Sequence, residues 1–232
     1  MADGSTGRVK TNGATQSRKA NQEKVAEMVR KKHDTNGGLT LAQREAVTRW
    51  EREHTSRKTE RVVAFDGNGK VLYESKDGSH NRTGIPSWKN LEDAVITHNH
   101  PSRTVRSADS KLGWASGVGI SFSGNDMSSA AHFNAKEMRA KANGYVYSLR
   151  RPQKGWPSSQ TLLNEYKKAF AAAQRKYLGG TTKRAVTNYA WKGAKSTQEA
   201  YNRLDRINAT MSHMATREVA KKHGITYTRS RA

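Results

Sequence analysis

The sequence contains no cysteine among its 232 residues. This absence excludes disulfide bonds, thiolate metal sites and cysteine nucleophiles, so the ligands of any metal ion must be His, Asp or Glu. The sequence also has no run of 18 apolar residues, and residues 1–10 lack the apolar stretch of a secretory signal. We therefore expect a protein that does not span a membrane and is not secreted through a signal peptide.

Hydrophobic residues are scarce as well: they make up 34% of the chain, and the mean hydropathy is −0.94. This length fits one ordinary domain, but such a composition supplies a packed core for only part of it. The first 20 residues are almost all small, polar or basic. We predict that residues 1–58 form a basic, largely disordered arm with a helix near 40–54, which begins at the capping-box sequence Thr40 to Gln43.

Acidic residues are few, with 20 Asp and Glu against 42 Lys and Arg, which gives a net charge of +22. The excess is greatest in residues 157–232, which hold 15 basic and 4 acidic residues, while residues 1–58 hold 13 and 7. A field of this sign attracts polyanions, and nucleic acid is the obvious one. The alternative is a solvated basic surface without a dedicated partner.

The middle of the chain alternates between strand and helix patterns. Residues 61–65 and 71–74 are rich in β-branched and aromatic residues and flank the turn sequence Asp66 to Gly69, which predicts a β-hairpin. A helix start is predicted near Ser87, and a short apolar strand at residues 94–98.

The same pattern continues after a polar stretch at residues 102–120. It predicts a helix from Asp126 to about Asn143 and another strand at residues 145–149. Strands and helices in this order indicate an α/β fold.

Residues 157–232 are predicted to form a basic helical extension. Apolar and aromatic residues recur there at helical spacing, and Lys221 to Gly224 is typical of the end of a helix. The residues in the two stripes are Leu163, Tyr166, Phe170, Ala173 and Tyr177, then Leu204, Ile207, Met211 and Met214. We expect most of these side chains to pack in a core rather than to bind a ligand.

The residues with the strongest chemical signal are His98 and His100. Residues i and i+2 of a strand point to the same side, so both imidazoles can reach one ion, and Pro101 then ends the strand. Downstream, Asp126 lies at a predicted helix start, three residues after Ser123. Two imidazoles and one carboxylate form a three-ligand site with a fourth position open for water, the pattern of catalytic zinc.

The motif His98-Asn99-His100-Pro101, followed by Ser123-Gly124-Asn125-Asp126, resembles the signature of JAMM (JAB/MPN-like) zinc metallopeptidases. The His-Asn-His-Pro form is most similar to the RadC-related branch and to the JAMM-like domains of phage head-morphogenesis proteins. The resemblance covers roughly residues 60–152. It implies an α/β, cytidine-deaminase-like mixed sheet flanked by helices, in a metallopeptidase domain at residues 59–156 followed by the helical extension.

The resemblance also implies roles for individual residues. His98, His100 and Asp126 would bind Zn²⁺, and Ser123 would donate a hydrogen bond to the oxyanion. A Glu upstream would act as the general base on water. We predict that this base is Glu74, at the end of the second hairpin strand. The alternatives, Glu92 and Asp93, lie only a few residues before the ligand strand and are expected to start it or to cap a preceding helix.

One feature departs from the JAMM pattern, in which the gap between the Pro and the Ser is short. Here residues 102–122 insert 21 residues. The insertion could serve as a lid or a substrate loop. Alternatively, the third ligand could be Asp109, but the Ser three residues before Asp126 and the helix after it favour Asp126.

Two functions remain open on the sequence alone. The preferred one is zinc-dependent hydrolysis of a peptide or isopeptide bond in a protein substrate, by a phage-type protein linked to head assembly and located in the bacterial cytoplasm or the virion. The alternative is a non-catalytic virion or nucleic-acid-binding protein, in which the JAMM fold is a scaffold and the basic ends bind nucleic acid without sequence preference. The His-Asn-His spelling does not indicate an HNH nuclease, whose histidines are spread over a ββα-metal finger.

Overall fold

The computed structural model describes residues 38–54, 59–75, 84–101, 121–142 and 145–231. The described strands are β1 (Val62–Phe65), β2 (Val71–Glu74), β3 (Val95–Asn99), β4 (Glu137–Ala142), β5 (Tyr145–Arg150) and β6 (Thr226–Arg231). The described helices are α1 (Leu41–His54), α2 (Gly124–His132), α3 (Ser159–Leu178), α4 (Lys183–Trp191) and α5 (Thr197–His223). Most of the predicted arm and the insertion, including Asp109, lie outside the described residues. Among the described helices, none combines the length and apolar composition needed to cross a membrane.

The six strands form one mixed sheet in the order β2-β1-β3-β4-β5-β6. Strand β3 pairs antiparallel with β1 and parallel with β4, while the other neighbours are antiparallel. The parallel connection from β3 to β4 runs through α2, as parallel strands require a crossover. The sequence-based prediction of an α/β fold with a mixed sheet flanked by helices is therefore confirmed.

The sheet has helices on both sides because successive side chains of its strands point to opposite faces, and both faces are apolar. Val63, Phe65 and Val95 pack against Trp50 and the other buried residues of α1. The opposite face forms the main core with residues of α2, α3 and α5. This main core contains Val62, Ala64, Ile96, Met138, Ala140, Phe122, Met127, Leu162, Tyr166 and Val219, among others.

Two local predictions at the N-terminal side are confirmed. The hydroxyl of Thr40 accepts a hydrogen bond from the backbone N–H of Gln43, and the Gln43 side chain accepts one from the Thr40 N–H, so the capping box forms. The β1–β2 hairpin turns through Gly69, whose φ is +78°. A Cβ at this position would lie 2.6 Å from the Ala42 carbonyl oxygen of α1, so the turn needs glycine.

The predicted helix from Asp126 to Asn143 is wrong in its second half. Helix α2 ends at His132, Asn134 has a φ of +46°, and β4 begins at Glu137. The alanines at 135, 140 and 142 suit a helix, but β4 lies between β3 and β5 and its backbone bonds to both. The residues near Ser87 form turns and no helix. Pairing of β4 with β3 and β5 overrode local propensity at the first of these places.

The C-terminal segment shares the main core of the sheet. Leu162 and Tyr166 of α3 and Val219 of α5 are buried in it, and β6 pairs with β5 over its whole length. Helix α5 ends at Gly224, whose φ is +66°, as the sequence predicted. Residues 157–231 thus complete the fold that carries the histidines. Strand β6 was not predicted from the sequence.

Candidate metal centre

The two histidines lie at the carboxyl end of β3, in the centre of the sheet. Their side chains are 3% and 7% exposed, and the His98 ring packs at 6.3 Å from that of Phe122. The Nε2 atoms of His98 and His100 are 2.9 Å apart. Residues i and i+2 of a strand share a face, so this convergence follows from the strand itself, as the sequence predicted. Two imidazole nitrogens at this spacing can both bind one ion.

A third side chain, Glu60, completes the cluster. One carboxylate oxygen of Glu60 and one nitrogen of each histidine all lie within 4.8 Å of one another. The register of β1 against β3 explains this position: Val62 pairs with His98 in antiparallel order, so Glu60, two residues earlier, comes opposite His100. Sequence reasoning missed Glu60. Its position just before β1, the strand that pairs with β3, could have indicated it.

The backbone around Glu60 is tied to the ligand strand by the residue between the two histidines. The Asn99 side-chain oxygen accepts a hydrogen bond from the Arg61 N–H at 2.8 Å, and its amide donates to the Thr59 carbonyl at 3.0 Å. The Asn99 N–H also donates to the Arg61 carbonyl. These bonds hold the backbone on both sides of Glu60 next to β3, which places the Glu60 side chain near the imidazoles.

Asp126 reaches the cluster from the first turn of α2. Its Oδ1 lies 3.6 Å from the His98 Nε2 atom. Its Oδ2 accepts hydrogen bonds from the backbone N–H and the hydroxyl of Ser123, at 2.6 and 2.8 Å, and the Asp126 N–H donates to the Ser123 hydroxyl. The Ser-x-x-Asp sequence is therefore a helix capping box, and the same bonds orient Asp126 toward His98.

The start of α2 is placed by close packing on α3. A Cβ at Gly124 would lie 3.0 Å from a ring carbon of Tyr166 and 3.1 Å from a methyl carbon of Leu163. The hydroxyl of buried Tyr166 donates to the Phe122 carbonyl at 2.9 Å and fixes the chain before Ser123. The absence of a side chain at Gly124 thus permits the approach that brings Asp126 to the histidines.

The surroundings of Glu60 favour its protonated form in the absence of a cation. Burial and, to a lesser extent, the nearby Asp126 carboxylate raise the pKa of Glu60 from 4.5 to about 8. Two carboxylates that converge in a partly buried place repel each other unless a positive charge lies between them. A bound metal ion would remove that repulsion.

The structure places Glu74, the predicted base, on the other face of the sheet. Glu74 pairs with Val63, which lies on the α1 face, whereas His98 pairs with Val62 on the main-core face. The Glu74 carboxylate accepts a hydrogen bond from the Trp50 indole at 2.8 Å and lies 3.9 Å from His54. The sheet therefore separates Glu74 from the histidines, and Glu60 is the glutamate that lies beside them.

The two alternative bases lie at the opposite end of β3. Glu92 accepts a hydrogen bond from the Asn134 side chain, and Asp93 forms an ion pair with Arg151. Both precede the strand that carries the histidines at its far end. Glu92 therefore joins the loop before β3 to the loop before β4, and Asp93 joins it to the residue that follows β5.

The residues present fit a zinc ion. Ligand atoms about 2.0–2.1 Å from a tetrahedral ion lie roughly 3.3 Å from one another. The separation between the two imidazole nitrogens is 2.9 Å, and that between His98 Nε2 and Asp126 Oδ1 is 3.6 Å, so both are close to this spacing. Imidazole nitrogens and carboxylate oxygens are also ligands that zinc accepts. Of the two carboxylates, Glu60 lies within 4.8 Å of both imidazole nitrogens, whereas Asp126 lies near that of His98.

Comparison with known proteins returned no relatives. No protein-family model, curated protein or solved structure matches this chain.

Proposed function

We propose that this chain is a zinc-dependent hydrolase of peptide or isopeptide bonds, of the JAMM type. His98, His100 and Asp126 would hold the ion, and Glu60 would be the general base. The single observation that carries the proposal is the convergence of Glu60, His98 and His100 within 4.8 Å, at the end of a central strand. The local sequence, His-x-His-Pro and then Ser-x-x-Asp, supports it independently.

We take Asp126 as the third ligand because its surroundings orient its carboxylate, although Glu60 is the carboxylate within 4.8 Å of both imidazole nitrogens. Both Ser123 bonds fall on the Asp126 Oδ2 atom, which leaves Oδ1 directed at His98. Hydrogen bonds from a second layer of residues commonly orient metal-binding carboxylates in this way. Glu60 has a raised pKa, which suits a group that takes up and releases a proton near neutral pH.

A zinc ion would supply Lewis acidity, which polarises a substrate carbonyl. It would also lower the pKa of water, so that water loses a proton more readily and becomes a stronger nucleophile. Glu60 would accept the proton of the attacking water and pass it to the leaving amine. Asn99 would keep Glu60 in position through its bonds to Thr59 and Arg61. The Ser123 hydroxyl donates to Asp126 in this structure, so its proposed bond to the oxyanion requires that it give up this bond.

The proposal is tested by metal analysis of the zinc-loaded and dialysed protein. We expect about one zinc per chain in the parent and a large loss in His98→Ala. His132→Ala is the matched control, since His132 is exposed and contacts the Ser87 carbonyl. A parent protein without stoichiometric metal, or a His98→Ala variant with the parent's metal content, would contradict the proposed site.

The hydrolytic part needs its own measurement. Labelled casein and a peptide with an isopeptide bond at lysine are suitable probes, with and without a chelator. Cleavage that the chelator abolishes and zinc restores supports the enzyme. Stoichiometric zinc without cleavage of either probe supports the alternative, in which the fold is a non-catalytic scaffold. The link to phage head assembly stays a prediction from the resemblance.

A further inference from the structure

A second surface, distant in sequence from the metal centre, combines exposed aromatic rings with positive charge. Helices α4 and α5 form a hairpin in which Val186 and Ala190 pack against Ala200 and Leu204. Lys183, Arg184, Lys192 and Arg206 are exposed on this hairpin. Residues 175–206 carry 8 Lys and Arg against 2 acidic residues.

Several aromatic side chains of this region lie at the surface. Tyr177, Tyr189 and Trp191 are 39%, 38% and 46% exposed, whereas Tyr166 is buried. The sequence predicted core packing for most side chains of the stripe to which Tyr177 belongs, and Tyr177 itself is exposed. Exposing a large aromatic ring forgoes the stabilisation that its burial would give. Rings kept at a basic surface are typical of sites where nucleic-acid bases stack.

The hairpin also contains a cleft of about 460 Å³, lined by Tyr189, Lys192, Arg203 and Arg206. Arg203 has a structural role, because it donates to the carbonyls of Lys192 and Gly193 and forms an ion pair with Glu199 at 2.7 Å. This pair also neutralises Glu199. Lys192 and Arg206 are exposed at the cleft beside the Tyr189 ring.

We infer that the α4–α5 cleft binds single-stranded nucleic acid. A base would stack on Tyr189, and the phosphates on either side would contact Lys192 and Arg206. An extended polyanion fits better than an isolated nucleotide because the positive charge continues beyond the cleft, at Lys183 and Arg184. An acidic peptide would use the charges but would leave the exposed rings without a function. This inference does not depend on the metal centre.

The test uses the full chain and a fluorescent 20-nucleotide oligo(dT), with binding followed by anisotropy. Tyr189→Ala is expected to weaken binding by about 5- to 150-fold, the range for loss of one stacked base. Tyr189→Phe should bind like the parent, since stacking needs only the ring. Replacing Lys192 and Arg206 with Gln should weaken binding and reduce the slope of log K against log salt by about 1.4.

Matched controls lie elsewhere on the described surface. Trp88 is 76% exposed beside Lys89, and Lys70 is exposed on the β1–β2 turn. Trp88→Ala and Lys70→Gln should leave oligo(dT) binding unchanged. Circular dichroism of each variant separates loss of contact from loss of fold. A Tyr189→Phe variant that binds as weakly as a folded Tyr189→Ala variant would overturn the stacking role.

Three competing ligands decide the class of partner. Oligo(dT) should bind more tightly than a 20-base-pair duplex, in which the bases are already stacked. Polyglutamate and dTMP should compete poorly. Equal binding of the duplex would overturn the single-strand assignment, and equal binding of polyglutamate would identify a general polyanion or acidic-peptide surface. Equal competition by dTMP would restrict the site to a free nucleotide.

Discussion

The side-chain oxygen of Asn99 accepts a hydrogen bond from the backbone N–H of Arg61, at 2.8 Å. Because the Asn99 amide also donates to Thr59, one side chain holds both neighbours of Glu60. The residue between the two histidines therefore positions the third member of the cluster. The spacing His-x-His brings two imidazoles to one side of the strand, and the side chain of the intervening residue bonds to the neighbouring segment.

Asn99→Ala should therefore impair catalysis more than metal binding. The variant keeps both histidines but loses the two side-chain bonds that hold the Glu60 segment. We expect its zinc content to remain about one per chain, and kcat to fall roughly 10- to 100-fold, as for other residues that orient groups at metal sites. Asn99→Asp should recover part of the activity, since it can still accept from Arg61. Loss of zinc in Asn99→Ala, or an unchanged kcat, would contradict the positioning role.

Exchanging the two candidate third ligands separates their roles. Asp126→Asn should lose most of its zinc, whereas Glu60→Gln should keep its zinc and lose hydrolysis, because a base contacts water and not the ion. Glu74→Gln serves as the matched control and should match the parent in both measurements. If Glu60→Gln loses the metal and Asp126→Asn retains it, then Glu60 is the ligand.

The stability of the metal-free protein should depend on pH through Glu60. Its pKa is about 8 in the folded protein, against 4.5 for an ordinary Glu. The folded state therefore holds a proton that the unfolded chain releases above about pH 4.5. The stabilisation from this proton is complete below pH 4.5 and is lost as the pH rises through 8.

Glu60→Gln cannot titrate, so it reveals this contribution directly. Between pH 4.5 and 8 the free energy of unfolding of the chelator-treated parent should fall by roughly 2–4 kcal/mol relative to that of Glu60→Gln. Urea unfolding at each pH measures this difference. Saturating zinc should abolish the difference in pH dependence, because the ion favours the carboxylate. Parallel pH profiles for the two metal-free proteins would show that folding does not raise the pKa of Glu60.

The sequence predicted the parts of the fold that local chemistry specifies. The capping box at Thr40, the β1–β2 hairpin and the end of α5 at Gly224 each depend on side chains or turns within a few residues. The pairing of β1 with β3 and of β5 with β6 depends on distant segments, and no local pattern indicates it. The α2–β4 boundary was misplaced for the same reason, because the alanines of β4 favour a helix until the sheet pairs them.

The candidate site shows the same difference between residues that local patterns indicate and residues that distant pairing brings in. The sequence predicted that His98, His100 and Asp126 lie close together, because two of them share a strand and the third lies in the first turn of a helix capped by Ser123. The assignment to Glu74 followed the hairpin, which is local, whereas Glu60 reaches the histidines through the register of β1 against β3. Continuing that register by two residues past Val62 would have identified Glu60, once the pairing was known.

Gly124 provides a test of how tightly the position of α2 controls the metal centre. The ring of Tyr166 cannot easily yield to a new methyl group, since it is buried and its hydroxyl is bound to the Phe122 carbonyl and Ser212. Gly124→Ala should push the first turn of α2 away from α3 and move Asp126 away from His98. We expect zinc affinity to fall by about 10-fold, with a cost in unfolding free energy of about 1–3 kcal/mol for overpacking.

Gly67→Ala is the appropriate control for this substitution, because a Cβ at that turn would meet no atom within 4 Å. It should leave both zinc affinity and stability near the parent values. Zinc affinity is best measured by competition with a chromophoric chelator near neutral pH, and stability by urea unfolding of the chelator-treated protein. If Gly124→Ala is destabilised but binds zinc like the parent, then the ion does not require Asp126 at its observed position, and Glu60 becomes the third ligand. If the affinity falls in step with Asp126→Asn, the contact between α2 and α3 is what sets the geometry of the site.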